Sequence, residues 1–251
     1  MLMILMPMAS QDYDPTEASI AWRELSQLGF RFQFASVDGR PASPDPRMMT
    51  GSGLGVWKSL LMARRDAVQA CSAMMAAPGY ANPLCYDELR GSDYDALLLH
   101  GGHAPGMRSY LESPILQELA AAFVEQGKPV AAICHGVLLL ARSKSSDGRS
   151  VLYGRKCTTL LSSQELAAHA LTRLWLGSYY RTYPETTCQA EVTANLQSAS
   201  DFCPGPTPLL RDDPEHLQRG FTVRDGNLLT ARWPGDAYNF ARRFAELLSG
   251  N

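Results

Sequence analysis

Of the six cysteines in this chain, Cys134 alone sits where a thiol would be activated. It lies in Ala132-Ile133-Cys134-His135-Gly136, after the apolar run from Pro129 and before a helical stretch from His135 to Arg142. A nucleophile elbow needs this order: a buried strand, a reactive residue on a tight turn, then a helix. Ala132 and Gly136 keep the turn free of clashes. Unpaired N–H groups at the helix start favour a thiolate, and the backbone N–H of His135 is placed to hold an oxyanion. A free cysteine without such a context is a small hydrophobe, the reading that fits Cys157 in a strand and Cys71 in a helix. Cys85, Cys188 and Cys203 fall in loops, where a disulfide stays open.

Ligands of an open α/β sheet gather at the carboxyl ends of its strands, so partners for Cys134 are sought there. Glu17 follows the first strand. Beside a thiolate its carboxyl is useful when protonated or when sharing a proton with sulfur; as a first-turn acid it also complements the helix dipole. His100-Gly101-Gly102-His103 ends a second strand. Adjacent glycines let the backbone approach a ligand, which makes Gly102, with Gly101, a candidate oxyanion donor, although most such pairs are plain turns. His100 or His103 is a candidate base or an exposed loop histidine. Glu165 opens a later helix, either as a dipole complement or as the acid of a Cys134–His135–Glu165 group. The spacing does not decide whether the His135 side chain reaches Cys134.

The elements that must position these residues alternate strand and helix. Strands are expected at Leu2 to Met6, Phe30 to Ala35, Ala96 to Leu99, Pro129 to Ile133 and Lys156 to Leu160. A hairpin around Asp225-Gly226 pairs Phe221 to Arg224 with Leu228 to Ala231. Asp14-Pro15-Thr16-Glu17 is a helix start with Asp14 as N-cap, and Ile20, Leu25 and Leu28 mark that helix's apolar face. Further helices are expected at Trp57 to Met75, Pro114 to Gln126 (with Ile115, Leu119 and Phe123 apolar), Ser162 to Leu176 and Asp236 to Leu248. Asn82 to Asp95 reads as a loop. Alternation of this kind builds a mostly parallel sheet with helices on both faces: an α/β, three-layer sandwich forming one domain over residues 1–251. Residues 37–80 are an insertion, and 179–214 a variable segment.

Composition narrows the partners. At 251 residues, 45% hydrophobic and 19% charged, the chain can bury a large core. A net charge of −2 gives no reason to expect nucleic acid or an anionic membrane. The apolar N-terminus is one strand long and lacks a basic leader, so neither a signal peptide nor a membrane span is expected. Without a CxxC pair or a Gly-x-Gly-x-x-Gly loop, no metal or organic cofactor is expected. Free thiols suit a cytoplasmic protein.

Asp14-Pro-Thr-Glu17, Gly101-Gly-His103, Ala132-Ile-Cys-His-Gly136 and Asp225-Gly-Asn-Leu-Leu-Thr230 followed by Pro234 together resemble the DJ-1/PfpI superfamily, its Hsp31-like branch in particular. They occur in that family's order and cover most of the chain. The resemblance implies a flavodoxin-like fold, a nucleophilic Cys134, a protonated Glu17 bonded to it, and an oxyanion pocket from the Gly102 and His135 N–H groups. It also implies a Cys134–His135–Glu165 triad, a small-molecule substrate and a homodimer. The implied activities are glutathione-independent glyoxalase or deglycase action through a hemithioacetal. A cysteine hydrolase or amidase, or a stress chaperone or redox sensor, are the alternatives. Two departures stand out. Leu160 occupies the place of the histidine that follows the Thr-Thr in the branch nearest DJ-1, and neither His169 nor His216 begins the His-x-Glu of a glutamine amidotransferase.

Overall fold

The computed structural model describes residues 2–250. Seven strands form one sheet: β1 Met3–Pro7, β2 Arg31–Ser36, β3 Leu84–Cys85, β4 Ala96–Leu99, β5 Val130–Ile133, β6 Thr222–Asp225 and β7 Leu228–Ala231, in the order β3-β2-β1-β4-β5-β7-β6. All neighbours are parallel except the β6–β7 hairpin. β4 and β5 are wholly buried, as expected of strands covered on both faces. The expected mostly parallel α/β sandwich is therefore what the chain forms.

The helices are α1 Pro15–Gln27, α2 Arg65–Met75, α3 Pro114–Glu125, α4 Gly136–Arg142, α5 Ser162–Leu176, α6 Cys188–Ala194 and α7 Ala237–Leu248, with shorter turns between them. Asp14 caps α1 as expected: its carboxylate accepts from the N–H groups of Thr16 (2.8 Å) and Glu17 (3.1 Å). Leu28 and Ile115 are more exposed than an apolar face requires, because Leu28 is the C-cap of α1 and Ile115 lies in the first turn of α3. The expected helix from Trp57 to Met75 breaks in two at Met62 and Arg64, whose backbones are extended. Asn82 to Asp95 contains the edge strand β3.

Lys156 to Leu160 is not a strand. Cys157 makes a single bridge to Phe202. The next N–H, of Thr158, donates instead to the Thr230 hydroxyl at 2.9 Å, so the ladder stops and the segment runs on beneath Cys134. Beyond β7, Arg232 and Asp236 form a fully buried two-armed ion pair, with both contacts at 2.9 Å. Arg232 also donates to the carbonyl of Pro206 at 2.6 Å, fastening the 203–214 loop to the sheet. Among the described residues no helix is long and apolar enough to cross a membrane.

Candidate active site

Cys134 leaves β5 with φ +56°, a left-handed conformation that is costly for a residue with a β-carbon. Three contacts hold it there. Its N–H donates to the Ala231 carbonyl at 3.0 Å. Its own carbonyl accepts from the N–H of Val137 at 3.1 Å and from the Thr159 hydroxyl at 2.7 Å. Gly136 is required: a β-carbon there would stand 2.6 Å from the carbonyl oxygen of Leu99. The elbow is thus real, and Thr159, which the sequence did not single out, braces it.

The left-handed turn ends strand alternation, so the neighbouring side chains converge. Nδ1 of His135 lies 3.4 Å from Sγ of Cys134. Both groups are buried. Burial, with the charges of His103 and Arg142, pushes the His135 pKa down to about 3, so the imidazole is neutral at neutral pH. Burial also pushes the Cys134 thiol well above its ordinary value. Glu17 adds to this, and the nearby backbone N–H of His135 only partly offsets it. The thiolate expected from the helix N-terminus is therefore not the resting form, because desolvation of sulfur outweighs one turn of helix dipole.

Glu17 stands beside this pair. Its Oε2 packs so closely on Gly101 that a β-carbon there would lie 2.5 Å from it and 2.8 Å from Cβ of Cys134. Glu17 is fully buried, and neither carboxyl oxygen has an aligned hydrogen-bond partner. Burial and the adjacent Asp14 push its pKa well up, while the Cys134 thiol and the Gly101 backbone pull the other way. The balance favours the neutral, proton-donating carboxyl. Among the described residues, the N–H groups of Gly102 and His135 donate to no backbone oxygen, and Gly102 borders the cavity above Cys134.

The other candidates separate. His100 is buried away from the thiol: its Nε2 accepts from the N–H of Ala9 (3.2 Å), Nδ1 meets the Gly101 carbonyl (2.9 Å), and its ring stacks on Tyr110. It is no exposed loop residue. Neither is His103, which borders the cavity and stacks on Tyr180 at 4.4 Å, with Nε2 buried and unpartnered. Glu165 does not reach His135. One oxygen pairs with Arg181 at 3.0 Å and the other accepts from the N–H of Cys188 at 2.9 Å. All six cysteines are free, and Cys188 Sγ rests 3.0 Å from the Thr159 hydroxyl under the elbow. No group of three or more His, Cys, Asp or Glu side chains among the described residues could hold a metal ion.

Above Cys134 opens a cavity of about 260 Å³. Glu17, Gly102 and His103 form its floor and one side. The rest is mainly apolar and comes from distant segments: Leu60 and Leu61 of the insertion, Leu160 and Leu171 around α5, Leu209 of the 203–214 loop, and Trp233. Met48 and Leu54 of the insertion pack with Tyr180. Arg211, also at the cavity, donates to the carbonyls of Leu60 (2.8 Å) and Met62 (3.0 Å), joining two of these walls.

An α/β sandwich with a buried cysteine on an elbow, a neutral carboxyl beside it and an imidazole on its sulfur defines a class of flavodoxin-like cysteine proteins. A family model described as ThiJ/PfpI family-like matches residues 8–193, which include Glu17, Gly101 to His103, Cys134, His135 and Glu165, and the chain belongs to that family. It is 27% identical over 165 residues to the deglycase PfpI of Pyrococcus furiosus, covering 66% of this chain and 69% of that one. It is 28% identical over 158 residues to a glutathione-independent glyoxalase of Schizosaccharomyces pombe, covering 62% of this chain but only 57% of that protein. The fold superposes on glyoxalase III of Candida albicans with a TM-score of 0.68 at 18% identity, over 100% of this chain and 98% of the other.

Proposed function

We propose that this protein is a cysteine-dependent enzyme that converts 2-oxoaldehydes to 2-hydroxy acids, consuming one water and no external oxidant or reductant. The observation that carries this reading is the 3.4 Å contact between Cys134 Sγ and His135 Nδ1 beside the buried, neutral Glu17. A nucleophile, a proton acceptor and a proton donor then meet at the buried end of one pocket. The deglycase and glyoxalase names of the relatives support an enzyme acting on reactive carbonyls.

The thiol proton passes to His135 as Sγ adds to the aldehyde carbon. The alkoxide forms by the Gly102 and His135 N–H groups and takes the proton back, giving a hemithioacetal. His135 then removes the proton on the former aldehyde carbon while Glu17 protonates the ketone oxygen, giving an enediol. His135 returns its proton to the second carbon and Glu17 recovers one from the first hydroxyl, leaving a thioester. Water cleaves the carbon–sulfur bond, releasing the hydroxy acid and restoring the thiol. The first carbon is oxidised and the second reduced, so the electrons balance within the substrate.

The test is incubation of purified protein with methylglyoxal or a larger 2-oxoaldehyde in D2O, read by NMR. The expected product is the 2-hydroxy acid, lost in Cys134→Ser. Absence of product, or full activity in Cys134→Ser, overturns the reading.

A further inference from the structure

We infer that the preferred substrate carries a branched or extended apolar arm, which lies against Leu60, Leu61, Leu171, Leu209 and Trp233 while its carbonyl sits on Cys134. This deepens the carbonyl-addition reading and rests on it for the chemistry, but not for the binding.

Size and polarity argue for the arm. About 260 Å³ is close to the lower end of small-molecule pockets, roughly 300–1,000 Å³. It equals the liquid volume of roughly nine waters at ~30 Å³ each, whereas methylglyoxal has the non-hydrogen atoms of about five. Glu17, Gly102 and His103 lie with Cys134 at the strand ends, and Asp14, Gln164, Glu165 and Arg211 add further polar groups to the lining. The larger part of the lining is nonetheless hydrocarbon, from Leu60 and Leu61 of the insertion, Leu171 of α5, Leu209 of the 203–214 loop and Trp233. A methyl substituent is too short to cover such a wall. Exposed leucines are individually unremarkable on a protein surface, but Leu60 and Leu209, 58% and 80% exposed, belong to the cavity lining itself. Water that wets this wall is released when an alkyl group replaces it.

Each buried CH2 is worth about fourfold in affinity. Isobutyl in place of methyl adds three carbons, and full burial would give a factor of about sixty. The experiment compares isobutylglyoxal with methylglyoxal as substrates. In parallel, 4-methylpentane-1,2-diol is compared with propane-1,2-diol, their neutral unreactive analogues, by NMR titration of the wild-type protein. We expect isobutylglyoxal to have at least tenfold higher kcat/KM and its diol to bind at least tenfold more tightly. Leu60→Asp and Leu209→Asp, both at exposed positions, should erase the preference through KM. Turnover of methylglyoxal at equal or higher kcat/KM, with no preference between the diols, overturns the inference and leaves the proposed reaction standing. No turnover of either aldehyde, with the branched diol still preferred, overturns the reaction and supports the cavity inference. Neither turnover nor preference overturns both. A preference unchanged in the two aspartate variants also overturns the inference.

Discussion

His135 Nδ1 sits 3.4 Å from Cys134 Sγ although the two residues are neighbours in the chain. On a strand adjacent side chains point to opposite faces. The positive φ of Cys134 cancels that alternation and turns one residue's base onto the other's nucleophile. His135→Ala removes the proton acceptor without disturbing the strand. Turnover should fall about 10²–10⁴-fold, while alkylation of Cys134 by iodoacetamide, followed by peptide mass spectrometry, persists. Wild-type turnover in this variant would remove His135 from the mechanism.

Glu17 lies against Gly101, and its ionisation pushes the thiol pKa up. Glu17→Gln keeps the shape and removes the ionisable group. The pH midpoint of Cys134 alkylation should move down, and turnover of a 2-oxoaldehyde should drop by at least about 10² through loss of the proton donor. The same substitution bears on stability. A carboxyl whose folded pKa is raised binds more protons when folded, so its contribution is lost as pH rises above the ordinary carboxylate range. Glu17→Gln should flatten that decline in urea titrations.

His100 titrates near pH 4 in the folded chain because burial disfavours its charge, against an ordinary value of 6.5. Between these values the unfolded chain binds more protons, so stability falls as pH drops from 6.5 towards 4. The shift corresponds to about 3 kcal/mol. His135, whose pKa is about 3, adds a loss of the same sign. His100→Phe retains a ring against Tyr110 but strands the Ala9 N–H. It should be less stable at pH 7 and show a shallower acid slope, both read from urea midpoints.

Much of this site was legible in the sequence because it rests on short-range patterning. Ala-x-Cys-x-Gly after an apolar strand dictates an elbow, and Asp14-Pro-Thr-Glu17 dictates a capped helix carrying an acid. What was hidden depends on partners far along the chain. Of the two histidines flanking Gly101-Gly102, His100 is buried and His103 half-buried, with Tyr110 and Tyr180 stacked on them. Glu165 looked available to His135 until Arg181 and the start of α6 claimed it. Alternation at Lys156 to Leu160 suggested a strand, but the Thr230 hydroxyl takes the place of a ladder partner.

Thr159 donates to the Cys134 carbonyl at 2.7 Å in a buried setting. Thr159→Val keeps the volume and removes the hydroxyl, leaving that carbonyl with the Val137 N–H and the weak Cys188 thiol contact at 3.7 Å. The expected loss is about 1–3 kcal/mol in folding stability, with a lower alkylation rate at Cys134 as the elbow relaxes. Unchanged stability would show that Val137 and Cys188 suffice.

Arg232 and Asp236 are buried with no exposed surface on either side chain. Asp236→Asn should cost about 3–5 kcal/mol, because it strands a buried charge. Replacing both by apolar residues should cost less than the single change. Denaturant midpoints of the two variants decide this.

The Arg211 guanidinium spans from the 203–214 loop to the carbonyls of Leu60 and Met62. These two stretches are separated by some 150 positions in the chain, yet Arg211 and a second arginine, Arg64, which donates to the Asp212 carbonyl at 2.9 Å, clip them together. Two walls of the chamber over Cys134 are thereby one fastened unit, and a change at either arginine reaches both.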